Sequence, residues 1–389
     1  MKILQIVPSI SLIYGGPSQM VLGLAPALAK AGAEVTILTT DSNGDNGQKP
    51  LDVPLNISIQ QDGYEIIYFR CAPFRRYKFS VDLLKWLKNH AKEFNVAHIH
   101  ALFSPVSSAA ATLCRQQQLP YILRPLGTLD PADLQKKKQL KQLYVELIER
   151  RNIAGAAAIH FTSEQEAKIS ARFGVNTKDL VIPLGVIPPN NNSEDVRNKF
   201  DIPKDKPLIL FMSRIDPKKG LELLISALEK LLIAGFDFHF VLAGTNPQDP
   251  IYEEKIKSKI ENSPLKSHTT ITGFVTGETK AGLLQAADLF VLPSYYENFG
   301  IAVAEAMVAG VPVIISDQVH IYQQIIDSDS GWVGTTDVES ILNLLTAALS
   351  NLPECQRRGL NAQKYALQNF SWDAIAQQVI QAYQEISKK

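Results

Sequence analysis

Four residues in the second half of the chain have the types and spacing to handle a charged, hydroxylated ligand. Glu297 and Glu305 stand eight positions apart in the stretch PSYYENFGIAVAEAM, with a glycine-containing break at Asn298, Phe299 and Gly300 between them. The segment after the break is apolar and reads as a buried helix, where a carboxylate is costly unless something binds it. Two arrangements meet that need. In one, Glu297 caps a helix and Glu305 is tied to a neighbouring arginine; in the other, both accept hydrogen bonds from a ligand. Upstream, Arg214 and Lys219 flank the turn RIDPKKG, between the apolar run PLILFMS and the helical pattern LELLISALEKLL. A guanidinium that forks onto oxygens, an ammonium acting as a point charge and a helix N-terminus together suit a diphosphate. The alternative is two exposed cations on a turn, unfavourable at a helix start unless an anion compensates. Neither GxGxxG nor a Walker A pattern is present.

Such residues need a sheet to carry them to one edge. In the second half, strands are expected at 207–213, 238–242, 268–274, in LFVLPS and in VPVIISD, with GWVG closing the sheet region. Helical patterns such as ETKAGLLQAAD lie between them, and strand–helix alternation is the pattern of a doubly wound α/β domain. The strand ends bearing Arg214 and Lys219, Gly244, Gly273 and Glu297 then share one rim, where such folds bind ligands. Gly273 and Phe274 could face a nucleobase with backbone amides and a ring. The last three helical patterns are amphipathic, and the final one could return to pack on the first domain.

The first half repeats the scheme. Residues 2–8 form an apolar strand, followed by YGGPSQM, a helical pattern and a second strand at 34–39. Gly15 and Gly16 allow a sharp turn and bring backbone amides near the strand end, which taken alone is a weak signal. Residues 40–61 read as a long loop or small insertion, 64–69 as a strand and 81–90 as a helix. In VAHIH, His98 and His100 share one side of a strand. No acidic or cysteine partner stands at metal-ligand spacing, so zinc is not expected, and His100 at the strand's carboxyl end is better placed to meet a ligand. A further strand ends at Arg124, which suits a diphosphate, an acidic acceptor or a pairing aspartate. Residues 135–151 read as a basic amphipathic helix with a stripe of Leu140, Leu143, Leu147 and Ile148, fit for a bilayer interface or for an ordinary solvated face. Strands at 157–162 and 180–183 close this sheet, and residues 183–196 have a linker's composition.

The 389 residues suit two domains, with 46% hydrophobic and 20% charged residues and a formal net charge of zero. The charge is uneven: residues 75–141 hold twelve Lys/Arg against four Asp/Glu, as expected of a solvated basic face or of one that meets an anionic partner or membrane. Nucleic acid is not an expected partner. Three scattered cysteines exclude a disulfide framework and fit a reducing compartment. No apolar run approaches a spanning helix, and the N-terminus reads as a strand rather than a signal peptide.

Taken in order, YGGPSQ, RIDPKKG, ITGFV, ADLFVLPSYYENFG and the Glu297/Glu305 pair resemble the retaining family 4 glycosyltransferases of the GT-B type, over essentially the whole chain. That resemblance implies two Rossmann-like domains facing across a cleft. Residues 1–186 would bind acceptor, 187–370 the nucleotide sugar, and 371–389 would form a helix packing back on the first domain. It implies that Arg214 and Lys219 bind the donor diphosphate, that Glu305 meets the ribose and that Glu297, with the amides of Asn298, Phe299 and Gly300, holds the sugar. Gly16 would approach from the opposite domain. The family's usual histidine is replaced here by the run LRPLG, which makes His100 and Arg124 the acceptor-side candidates. The variant RPLGTLDP and the basic helix after it resemble exopolysaccharide-assembly members. The implied donor is UDP-glucose, the acceptor a saccharide or lipid-linked saccharide, and the transfer retaining and metal-independent. The expected place is the cytoplasm, at the inner face of the plasma membrane if the basic helix touches lipid. A nucleotide-sugar epimerase, a nicotinamide-dependent dehydrogenase and a non-catalytic binding module are the alternatives.

Overall fold

The structure is a computed structural model and describes residues 1–45, 48–72, 77–135, 138–189 and 193–388. It has two compact units, Met1–Gly185 with Trp372–Lys389, and Val186–Ser371.

The first unit contains β1 (Lys2–Ile6), β2 (Glu34–Thr40), β3 (Ser58–Gln61), β4 (Tyr64–Phe69), β5 (Val96–His100), β6 (Tyr121–Arg124), β7 (Ala158–Phe161) and β8 (Asp179–Val181). Their order is β3-β4-β2-β1-β5-β6-β7-β8. All pairings are parallel except β3 with β4. Parallel strands are covered on both faces, which is why Ile3, Leu4 and Ile6 of β1 are fully buried, along with the polar Gln5 between them. The edge strand β3 falls inside the stretch read as a loop or small insertion; its residues are mostly exposed and lack an apolar alternation.

One face of this sheet is covered by the helices Gly16–Lys30 and Trp372–Ser387, whose Leu24 and Tyr383 join Ile3 and Val7 in the core. Trp372 anchors the second helix: a Cβ at Gly23 or Gly185 would lie 2.4 or 2.2 Å from its ring. The other face is covered by the helices Val81–His90 and Pro105–Gln116. The expected basic helix is interrupted. A helix Lys138–Tyr144 passes into a π-helical turn Val145–Glu149 and then a helix Arg150–Gly155; Lys136 and Lys137 lie outside the described residues. The turn carries the buried Glu149 to the loop after β5, where it accepts hydrogen bonds from the Phe103 amide at 3.1 Å and the Ser108 hydroxyl at 2.5 Å.

The second unit contains β9 (Leu208–Met212), β10 (His239–Ala243), β11 (Thr269–Gly273), β12 (Leu289–Leu292), β13 (Val313–Ser316) and β14 (Gly331–Gly334), all parallel, in the order β11-β10-β9-β12-β13-β14. The chain builds outward from β9 in one direction and from β12 in the other, so the order reverses between these two strands. Such a reversal opens a crevice at the strands' carboxyl ends.

Candidate functional site

Two loops meet at that crevice. After β9, Asp216 caps a short 3-10 turn, Pro217–Lys219, by accepting from the Lys218 amide at 3.0 Å. Gly220 then takes φ +70° and starts the helix Leu221–Ile233, which no side chain caps. A Cβ on Gly220 would stand 2.1 Å from the Pro293 carbonyl oxygen, so the loop after β12 passes directly against it. The Tyr295 amide donates to the Lys218 carbonyl at 2.7 Å and joins the two loops. Farther on, the Glu297 amide donates to Gln318 and its carbonyl accepts from the His320 amide, at 3.1 and 2.9 Å. The chain turns at Gly300, φ +78°, into the helix Ile301–Val308, again without a side-chain cap. Two helix N-termini with unused donors therefore open at this edge, and each favours negative charge.

The charged side chains fall into place on this frame. Lys219 forms an ion pair with Glu297, both largely buried. Glu305 pairs with Lys280 of the helix Gly277–Ala286 at 2.5 Å. Arg214 is half exposed and lies 3.4 Å from Asp216 and 3.4 Å from the Gln248 side-chain oxygen Oε1. The bland arrangement weighed above is not the one found. Glu297 caps no helix, because its side chain is held by Lys219, and the partner of Glu305 is a lysine rather than an arginine. A carboxylate beside an ammonium in a half-buried site is stable alone, yet leaves both groups ready to exchange each other for ligand oxygens and hydroxyls.

The remaining predicted residues line the same sheet edge. Gly244 packs so that a Cβ would meet the Ser213 carbonyl oxygen at 1.9 Å, and its amide donates to Gly273 at 2.8 Å. Gly273 has φ +73°, and the Phe274 ring beside it is 76% exposed. The Phe299 ring is buried against Phe370, so only its backbone is available to a ligand. Among the described residues no group of three or more His, Cys, Asp or Glu is placed to hold a metal.

In the first unit Gly16 opens the helix Gly16–Lys30 after Gly15, which has φ +68°. His100 and Arg124 end β5 and β6 and are 0% and 2% exposed, so they lie beneath the sheet edge rather than on open surface. The helix Trp372–Ser387 contributes to their enclosure, with Tyr383 packed beneath the sheet. Lys280 and Asp216 were not anticipated. Asp216 had a local signal, an acidic residue just before Pro217, whereas nothing in sequence marks Lys280 as the partner of Glu305.

Comparison with known proteins follows the same division. Residues 15–185 match the family model described as glycosyl transferase 4-like domain, and residues 192–365 that described as glycosyl transferases group 1. An uncharacterized glycosyltransferase of Methanocaldococcus jannaschii is 32% identical over 193 residues, 48% of this chain and 47% of that protein. A phosphatidyl-myo-inositol mannosyltransferase of Mycolicibacterium smegmatis is 25% identical over 96% of this chain and 91% of that one. Among solved structures, Anabaena HepE in complex with UDP and glucose superposes with a TM-score of 0.72 at 18% identity, over 99% of this chain and all of that one.

Proposed function

The chain is a glycosyltransferase of the family 4 type with the GT-B fold, and from that premise we propose that it transfers a hexose from UDP-glucose, with retention, to a saccharide or lipid-linked saccharide during polysaccharide assembly. The observation that carries the reading is the meeting of Lys219 with Glu297 where β9 and β12 diverge. On this reading the second unit takes the nucleotide sugar and the first the acceptor.

Arg214 and Lys219 bind the diphosphate, next to the uncapped start of the helix Leu221–Ile233. Breaking the anomeric bond builds positive character on the sugar and negative charge on the departing phosphate. Fixed cations bind that charge more tightly than the ground state, which lowers the barrier. Glu297 exchanges Lys219 for the hexose hydroxyls, with the amides of Asn298, Phe299 and Gly300 beside it. Glu305 exchanges Lys280 for the ribose hydroxyls. Gly244, Gly273 and Phe274 border the base. Retention follows from attack on the face the nucleotide leaves, the departing phosphate oxygen taking the acceptor's proton. The HepE complex with UDP and glucose supports the choice of donor.

The first unit also has features suited to a bilayer holding a lipid-linked acceptor. A groove of about 650 Å³ lies among Val81, Leu84, Leu113 and Ile148, with Lys85 and Lys88 on its rim. Leu140, Leu143 and Leu147 are exposed nearby in sequence, and no described helix is long and apolar enough to cross a membrane.

The test is to incubate the full chain with UDP-, GDP- and ADP-sugars and lipid-extract acceptors, following nucleoside diphosphate release and the anomer formed. No release with any pair sinks the transferase assignment. An altered nucleotide sugar without transfer makes the protein an epimerase, and an inverted product removes the same-face mechanism. Sedimentation with anionic but not zwitterionic vesicles tests the membrane contact.

A further inference from the structure

Beneath the helix Trp372–Ser387, four side chains of the first sheet and one of the helix form an unbroken buried hydrogen-bond chain. Its direction is fixed from one end. The Ile182 carbonyl can only accept, so His160 Nε2, 2.9 Å away, carries a proton. In a neutral imidazole His160 Nδ1 is then an acceptor, and His98 Nε2 donates to it at 3.2 Å. His98 Nδ1 in turn accepts from the Tyr383 hydroxyl at 2.7 Å. With its proton committed, Tyr383 Oη accepts from Gln5 Nε2 at 3.0 Å. The amide orientation then leaves Gln5 Oε1 to accept from His100 Nε2 at 2.8 Å. All three histidines are buried and held neutral; burial and the Arg124 charge both push their pKa values down, that of His160 to about 3.

The chain ends on His100 Nδ1, an unprotonated acceptor that is buried and has no protein partner. Arg124 stands beside it in register on β6. Arg124 Nε is a buried donor without a partner, and Nη1 has only the Met20 thioether, at 2.8 Å. Burial lowers the pKa of this guanidinium to about 10, while the Glu166 carboxylate acts on it electrostatically in the opposite sense. Both groups stand at the carboxyl edge, beside the β1–β5 order reversal, and Ala101 and Leu126 just beyond them have φ +65° and +55°. Non-glycine residues in that region collect at functional sites.

We propose that Tyr383 is a positioning residue that fixes His100 as its Nε2–H tautomer, so that His100 Nδ1 and Arg124 Nε hold one hydroxyl group between them. The acceptor–donor pair selects the class. A hydroxyl can accept from Arg124 and donate to His100, whereas a fully ionised carboxylate or phosphate has no proton for His100. The hydroxyl belongs to an ordered water or to an alcohol of the glycosyl acceptor; only the second source rests on the assignment of the first unit to acceptor binding.

Long-range nitrogen–proton spectra of the isotope-labelled full chain read the tautomers without turnover, so they stand even if no transferase activity is found. The expected wild-type result is His98, His100 and His160 all protonated on Nε2 alone. A proton on His100 Nδ1 overturns the proposal. Tyr383→Phe removes the link and frees the Gln5 amide to turn over, so His100 should become a mixture of tautomers; a folded variant that keeps the single tautomer also overturns it. Cross-relaxation from water to the His100 ring identifies water as the occupant, and a shift of His100 Nδ1 on saturation with methyl glucoside identifies an alcohol. Neither response would show that no hydroxyl is held. If Tyr383→Phe does not fold, the wild-type tautomers and these two responses remain decisive.

Discussion

At the residue scale, Arg214 and Glu305 make separable demands. Arg214 is half exposed and has only 3.4 Å contacts, so removing it should cost little stability. If it stabilises the departing phosphate, Arg214→Ala lowers kcat/KM by about a hundred- to a thousandfold, roughly 3 kcal/mol, with an unchanged Tm; steady-state kinetics beside a thermal melt check both halves. Glu305→Ala instead removes the proposed ribose contact, and should raise the donor KM with little change in kcat. A fall in kcat alone would place Glu305 on the reacting centre. Glu149 gives a pH-dependent prediction. Its burial raises the carboxyl pKa against the opposing hydrogen bonds from Ser108 and Phe103. A raised pKa in the folded state means that the unfolded chain releases the proton first, so wild-type stability falls as pH rises from the ordinary carboxylate range through the folded value. Glu149→Gln keeps an acceptor for Phe103 and cannot ionise. Its stability relative to wild type should therefore improve between pH 4 and pH 8, as read by denaturant midpoints.

At the scale of elements, close approach dictates residue type. Gly220 has φ +70° and meets Pro293 where the two site loops cross. Gly220→Ala adds both backbone strain and a clash with a carbonyl, so a loss of about 3 kcal/mol is expected in denaturant melts. Gly23 differs, since it lies inside a helix and alanine would gain about 1 kcal/mol of propensity there. The added methyl would strike the Trp372 ring at 2.4 Å, so Gly23→Ala should still destabilise the first unit. The same elements explain what was legible beforehand. The buried strands read clearly because a strand covered on both faces has no polar side to interrupt it, as LILFM in β9 shows. The loops RIDPKKG and YYENFG were legible because each follows a buried apolar strand closely and its glycine, Gly220 or Gly300, precedes a helix. The Lys280–Glu305 pair was not, because it joins side chains 25 positions apart across separate helices. The burial of His100 and Arg124 was not legible for the same reason: part of what encloses them comes from Tyr383, 285 positions beyond His98.

At the scale of the molecule, both units bury imidazoles, but only the first joins three of them in one hydrogen-bond chain. The first encloses His98, His100 and His160, all pushed well below the usual imidazole range, and in the second the buried His239 is lowered to about 4. For a base whose folded pKa is depressed, stability is full above the unfolded pKa and is lost as pH falls below it. The window opens near 6.5 and runs down to about 3 for His160. His160 withholds roughly 2 kcal/mol by pH 5, because the unfolded chain takes up a proton that the folded unit refuses, and His98 and His100 act in the same direction. Glu149 acts in the opposite sense, but it is one group against three. The first unit should therefore open before the second on mild acidification. Hydrogen exchange between pH 7 and pH 5, corrected for intrinsic rates, should show protection falling first in β5, β6 and β7 and later in β9, β12 and β13. Simultaneous loss would mean that the two units unfold as one. Earlier loss in the second unit would mean that the buried imidazole chain does not govern acid stability.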